Sequence, residues 1–168
     1  MKKGVTTVVA SCQEPRALDI IRDRSKTIGS SVTVAPALED YGWGNFPPCI
    51  LGLKGPMQRR NASLALQLGR KFIQDKDSKT EWQTGTPFDL DLEEALGLRL
   101  CSWPGRAQTL RLSDDAVLLL DGAHTRESML ECVNWYKTAS KELEGRAETG
   151  STVGGQIHSQ VKYIFFQK

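Results

Sequence analysis

Extremes of composition are missing from this sequence, and each absence removes a class of function. Its 168 residues hold four cysteines, Cys12, Cys49, Cys101 and Cys132, widely spaced and without a CxxC pair, and two histidines, His124 and His158. A disulfide framework would be denser and a zinc site would need more ligands, so the thiols read as reduced and cytosolic in type rather than as metal or redox groups. No hydrophobic run approaches the roughly 20 residues that span a bilayer. Met1, Lys2 and Lys3 look like a charged signal-peptide start, but residues 5–10 are too short and too threonine-rich to be its apolar core. Neither sign of charge dominates: 22 Lys and Arg against 20 Asp and Glu are interspersed, which argues against nucleic acid or an anionic membrane as the main partner. The motifs G-x-x-x-x-G-K-[ST], GxGxxG, HExxH and GxSxG are absent too, so the common phosphate cradle, zinc-protease and serine-hydrolase signatures are excluded. What remains is ordinary for one globular domain or two small ones.

Strand-like and helix-like segments alternate, which makes the chain α/β. Residues 5–10 are β-branched, and residues 14–28 place Ala17, Leu18, Ile20, Ile21 and Ile28 near one helical face. Gly29 stands where a helix-ending glycine belongs, and residues 31–35 (SVTVA) are strand-like again, so the opening reads as a βαβ unit with parallel strands. Residues 36–48, with Trp43 and Phe46, read as a surface loop leading to a short strand over 49–53. The clearest helix covers 58–74, with Ala62, Leu64, Ala65, Leu68 and Phe72 inward and Arg59, Arg60, Arg70 and Lys71 mostly outward. Periodicity fails over 76–91, where a domain boundary is expected, and 93–100 reads as a short helix or turn. Residues 107–112 and 116–120 form two strands around Ser113, Asp114 and Asp115. A helix to about residue 143, a loop over 144–159 and an apolar strand over 161–166 then complete a second βαβ unit. A lone unit of that kind leaves its sheet uncovered, so the domain reads as incomplete.

The chemistry gathers at residues 118–135, LLLDGAHTRESMLECVNW: an apolar strand, a polar turn, then a helix with Met129, Cys132, Val133 and Tyr136 on one side. Ligands of α/β proteins sit at such strand ends, and the first amides of the following helix favour anions. Asp121 is either the cap of that helix or a carboxylate for ribose hydroxyls or a magnesium-bound phosphate. His124 either contacts phosphate or caps the turn. Arg106, after Pro104 and Gly105, forms either a forked contact to phosphate or an ion pair with Asp121. Asn61, at a helix start, uses its amide for backbone bonds by default.

Three ordered blocks, LGLKGPMQRRNASLALQL (51–68), WPGRAQTLR (103–111) and LLDGAHTRESMLECVNWY (119–136), resemble the folylpolyglutamate synthase family in its eukaryotic form, a branch of the Mur-ligase type. Residues 1–28 resemble the strand and helix that close that family's central domain. The resemblance implies the end of a Mur-ligase central ATP-binding domain at 1–78, a linker at 79–102, and the first, incomplete part of a Rossmann-like C-terminal domain at 103–168. It implies ATP-dependent ligation of L-glutamate to the γ-carboxylate of folyl-glutamates through an acyl phosphate, with ATP and Mg2+ as cofactors. Folate, L-glutamate and ATP are then the ligands of a monomeric parent enzyme in the cytoplasm or the mitochondrion. By the same resemblance Asn61 faces adenine, Arg106 reaches the phosphates, Asp121 holds the ribose and His124 sits close to the nucleotide. Two departures stand out. Met57 occupies the place of the family's usual histidine in HQ-x-x-NA, and the family's phosphate-binding loop, magnesium ligands and carbamylated lysine all precede the start of this chain. The expectation is a partial chain, inactive alone, with no catalytic residue or metal ligand of its own. A dihydrofolate synthase, another Mur-type ligase, or a non-catalytic nucleotide-binding remnant are the alternatives.

Overall fold

The computed structural model describes residues 1–11, 13–48, 50–76, 83–113 and 116–149. The chain divides into two compact units, Met1–Ile50 with Gln58–Arg99, and Leu51–Met57 with Leu100–Lys168.

The first unit opens with the expected βαβ arrangement. Strands β1 (Thr7–Val9) and β2 (Val32–Val34) pair in parallel and are joined by helix α1 (Pro15–Ile28). Local chemistry sets both ends of α1. The Glu14 carboxylate accepts the Ala17 N–H at 3.0 Å, Pro15 takes the first position, where an N–H would have no partner, and Gly29 closes the helix at φ 73°. Ala17, Leu18, Ile21 and Ile28 are half-buried, but Ile20 is exposed. It lies about 100° round the helix from Ile21, off the stripe that faces inward.

Polar side chains share the buried interior of this unit with apolar ones, and several expectations fail for that reason. Helix α2 (Met57–Lys76) buries Gln58, Ala62, Ser63, Leu66 and Gln67, whereas Leu68 and Phe72, expected inside, are exposed. Residues 36–48 are not a surface loop: Leu38, Tyr41 and Trp43 are buried, with a 3-10 turn at Leu38–Asp40. The two segments meet through a chain of hydrogen bonds whose direction is determined. Ser63 Oγ donates to the Pro36 carbonyl at 2.7 Å, so the Tyr41 hydroxyl, 3.1 Å away, donates to Ser63, and the Gln67 amide donates to Tyr41 at 2.7 Å. Gln67 also donates to the Thr86 carbonyl at 3.0 Å and accepts the Gly85 N–H at 2.7 Å. Fully partnered, these groups escape the penalty of buried polarity.

Residues 83–99, within the expected 79–102 linker, instead belong to the first unit. Gly42 and Asp89 form a bridge, and the Arg70 guanidinium forks onto Glu94 with two 2.8 Å bonds while stacking 3.6 Å over Phe88. Helix α3 (Leu92–Leu100) begins with a reciprocal cap, Glu94 N–H to Asp91 at 2.8 Å and Asp91 N–H to Glu94 at 3.0 Å. Of the strand expected over 49–53, residues 50–53 are not in a strand.

In the second unit β3 (Gln108–Ser113) and β4 (Ala116–Leu120) pair antiparallel, Leu110 opposite Leu118, as the hairpin reading requires. The turn residues Asp114 and Asp115 lie outside the described residues. β4 alternates, burying Val117 and Leu119 against helix α4 (Arg126–Thr149), whose Cys132, Trp135 and Ala139 complete the core. Met129 and Val133, expected inward, are exposed, because the stripe that packs runs through 132, 135, 136, 139 and 143 at spacings of three and four. α4 also continues through 144–149, expected as loop, while 150–159 and the strand over 161–166 lie outside the described residues. Among the described residues no helix is long and apolar enough to cross a membrane.

Candidate functional site

Two turns of the second unit, Trp103–Ala107 before β3 and Asp121–Thr125 after β4, are tied together by one side chain. Asp121 ends β4, and its carboxylate spans the pair: Oδ2 accepts the Ala107 N–H at 2.8 Å and Oδ1 accepts the Ala123 N–H at 2.9 Å. Ala107 needs such a hold. It is buried and has φ 43°, the left-handed region that costs an alanine about 1 kcal/mol. Asp121 therefore is not the cap of α4. Thr125 has that role: its Oγ1 accepts the Ser128 N–H at 3.2 Å, while Ser128 Oγ accepts the His124 N–H at 3.0 Å and the Thr125 N–H at 2.9 Å.

With both Asp121 oxygens on backbone amides, the ion pair with Arg106 weighed from the sequence is not formed. The exposed Arg106 guanidinium lies against the other turn, where a Cβ on Gly122 would stand 3.7 Å from its Nη1. Among the described residues no carboxylate pairs with Arg106, so its fork of donors is available to an anion. His124 is exposed and its Nδ1 is 3.0 Å from the Gly122 carbonyl. A carbonyl only accepts, so Nδ1 carries the hydrogen. Beneath the turn, burial and secondarily the Asp121 charge push the Cys132 thiol up from its ordinary pKa, which makes it an inert core group.

Beside Arg106 a cleft of about 340 Å3 is lined by Gly52, Leu53 and Lys54 from one segment and by residues 102–104 and 106–109 from another. Its size is at the lower end of the roughly 300–1,000 Å3 usual for ligand sites. Arg106, Asp121 and His124 all lie in the second unit. Asn61 lies in the first unit, exposed on the second turn of α2, and its amide bonds the Gln58 side chain at 3.0 Å rather than the backbone. Two features escaped the sequence reading. The link from Asp121 to Ala107 crosses fourteen residues and leaves no local signal, and Lys54 stood in a recognised block without any pattern to single it out.

No family model matches the chain. Curated relatives do: "Folylpolyglutamate synthase, mitochondrial" of Bos taurus is 36% identical over 165 residues, 90% of this chain and 28% of that protein. The Homo sapiens protein of the same name is 37% identical over 158 residues, 86% of this chain and 26% of that protein. The chain is a homologue of the folylpolyglutamate synthases. It spans about a quarter of the length of these relatives. Among solved structures, the apo form of L. casei FPGS aligns with 99% of this chain and 51% of its own, at a TM-score of 0.63 and 17% identity. An FPGS–AMPPCP complex aligns with 96% of this chain and 46% of its own, at 0.57 and 20%. At those identities the likeness speaks for the fold alone, a mixed α/β architecture of which this chain has a part.

Proposed function

We propose that this chain is the nucleotide-facing part of a folylpolyglutamate synthase. The parent enzyme ligates L-glutamate to the γ-carboxylate of folyl-glutamates through an acyl phosphate, using ATP. The observation that carries this reading is the 36–37% identity to enzymes of that name over nearly the whole chain. The AMPPCP bound in a structural neighbour supports a nucleotide as the ligand. Arg106 is assigned to the phosphates, where a forked cation offsets charge that develops in phosphoryl transfer. Asp121 is assigned to the ribose, since each carboxylate oxygen that accepts one amide retains a second lone pair. His124 takes the rim of the nucleotide through Nε2, and Asn61 the adenine side. Folate and glutamate are bound by a monomeric parent in the cytoplasm and the mitochondrion, the latter following the names of the bovine and human relatives.

Mg2+ belongs to the parent reaction. Among the described residues no group of three or more His, Cys, Asp and Glu could hold a metal ion. When bound, the metal supplies charge neutralisation at the transferring phosphate.

Two measurements test the reading. The purified chain should bind AMPPCP in a calorimetric titration, and Arg106→Gln should weaken that binding about tenfold, as for one lost charge-assisted contact. The chain by itself should not incorporate radiolabelled glutamate into folyl-glutamates, because its 168 residues contain no phosphate-binding loop of the GTNGKGS type that the resemblance implies for the parent. Exchanged for the matching segment of the human synthase, it should support incorporation. A chain that binds no nucleotide and a chimera that is folded but inactive would overturn the assignment.

A further inference from the structure

We propose that Lys54 is a second phosphate-contacting cation, acting with Arg106 on one anion in the cleft between residues 52–54 and 102–109. The inference rests on the nucleotide reading for the identity of the ligand, but its geometry is independent of that reading. Of the ten described residues that line the cleft, Lys54 and Arg106 alone are charged, and both are positive. Carboxylates, which accompany cations elsewhere in the chain, are missing from the lining: Arg59 is paired with Glu39, Arg70 with Glu94 and Lys71 with Asp75. Lys54 has no such partner among the described residues. Its Nζ donates once, to the Leu51 carbonyl at 3.1 Å, which steadies the side chain and leaves further donors of the ammonium for a ligand. Ser102 and Thr109 add hydroxyls to the same lining.

The backbone is bent to bring the two cations to one place. Each is followed by a residue with positive φ, Lys54 by Gly55 at 101° and Arg106 by Ala107 at 43°. A Cβ on Gly55 would stand 2.8 Å from Met57 Sδ and 3.8 Å from Ala107 Cβ. The methionine side chain could move aside, so it is the φ of 101° that calls for glycine at that bend, and the bend packs against the turn that presents Arg106. Asp121 holds the other side of that turn through the Ala107 N–H at 2.8 Å. Two turns in contact, each presenting a cation that no carboxylate pairs among the described residues, match an oligophosphate better than a carboxylate metabolite, whose single charge one cation would satisfy.

Calorimetric titration of the whole chain with ATP, adenosine and inorganic tripolyphosphate tests this, with circular dichroism confirming that each variant is folded as the parent. Lys54→Gln should weaken ATP and tripolyphosphate about tenfold, the loss of one charge-assisted contact, and leave adenosine unchanged. Lys54→Arg should restore binding to within about twofold of the parent, which a merely structural role for the lysine stem would not predict. Lys54→Gln binding both anions as tightly as the parent, while Arg106→Gln loses them, would overturn the proposal, as would a chain that binds neither anion. If tripolyphosphate binds in a Lys54-dependent manner and ATP does not bind, the cleft assignment stands and the nucleotide reading falls.

Discussion

Removing the Asp121 carboxylate tests whether this residue acts on the chain itself as well as on a ligand. Asp121→Ala deletes two hydrogen bonds from backbone amides, at 2.8 Å from Ala107 and 2.9 Å from Ala123. Bonds of amides to a charged acceptor contribute about 1.5–3 kcal/mol each, and half-burial here allows water to replace part of that. The Ala107 N–H, in a residue with 4% exposure, is the one water reaches least. Release of the left-handed Ala107 returns about 1 kcal/mol, so the net cost of local opening is about 2–4 kcal/mol. At 1.4 kcal/mol per factor of ten, amide hydrogen exchange at Ala107 and Ala123 should accelerate roughly 30- to 1,000-fold, with the far end of α4 unchanged. Asp121→Asn keeps one acceptor and turns an NH2 toward one of the two amides, so one of them alone should accelerate strongly. Anion binding should follow: freed from its turn, Arg106 loses its set position, and tripolyphosphate should weaken along with ATP. A carboxylate that acted on ribose alone would weaken ATP and spare tripolyphosphate. Unchanged exchange at Ala107 in a folded Asp121→Ala chain would refute the clamp.

Two further predictions concern the interior. Gln67→Leu should destabilise the first unit by about 3 kcal/mol, because it leaves the Gly85 N–H and Thr86 carbonyl unpaired in a buried site, whereas Leu68→Gln, on an exposed position, should stay within about 0.5 kcal/mol; guanidinium unfolding midpoints would decide, and the reverse order would sink the polar-core account. Cys132, 1% exposed, should resist iodoacetamide at pH 8 while exposed Cys101 is alkylated, read by peptide mass spectrometry. Since the folded thiol pKa is raised above its ordinary 9.0, the folded state holds its proton longer than the unfolded one. The stabilisation is complete below pH 9 and falls as pH rises above it, so the chain should lose more stability between pH 8 and pH 10 than Cys132→Ala does.

The elements that were legible are those whose signals are local. Glu14, Pro15 and Gly29 specify both ends of α1 within a few residues of its body, and the alternation of β4 with the polar run after β3 specifies the hairpin. The strand, turn and helix around Asp121 were visible for the same reason. The inward face of α2 was not. Hydropathy places Leu68 and Phe72 inside, but the partners that allow Gln67 and Ser63 to be buried, Tyr41, Pro36, Gly85 and Thr86, are 18 to 27 residues away along the chain. The expected loop over 36–48 and the expected linker over 79–102 misread the same packing from its other sides: each supplies groups that satisfy α2.

By itself the sequence determined the α/β class, the two turns rich in Gly and polar groups, and the blocks shared with the synthases, because each is written in neighbouring residues. Only the tertiary structure decided what Asp121 does for its surroundings, that no carboxylate among the described residues pairs with Arg106, and that Lys54 lines the same cleft. The reason is physical: a hydrogen bond from Asp121 to Ala107, or a cleft shared by residues 52–54 and 102–109, depends on how distant backbone segments come together, and no local period or propensity encodes that meeting.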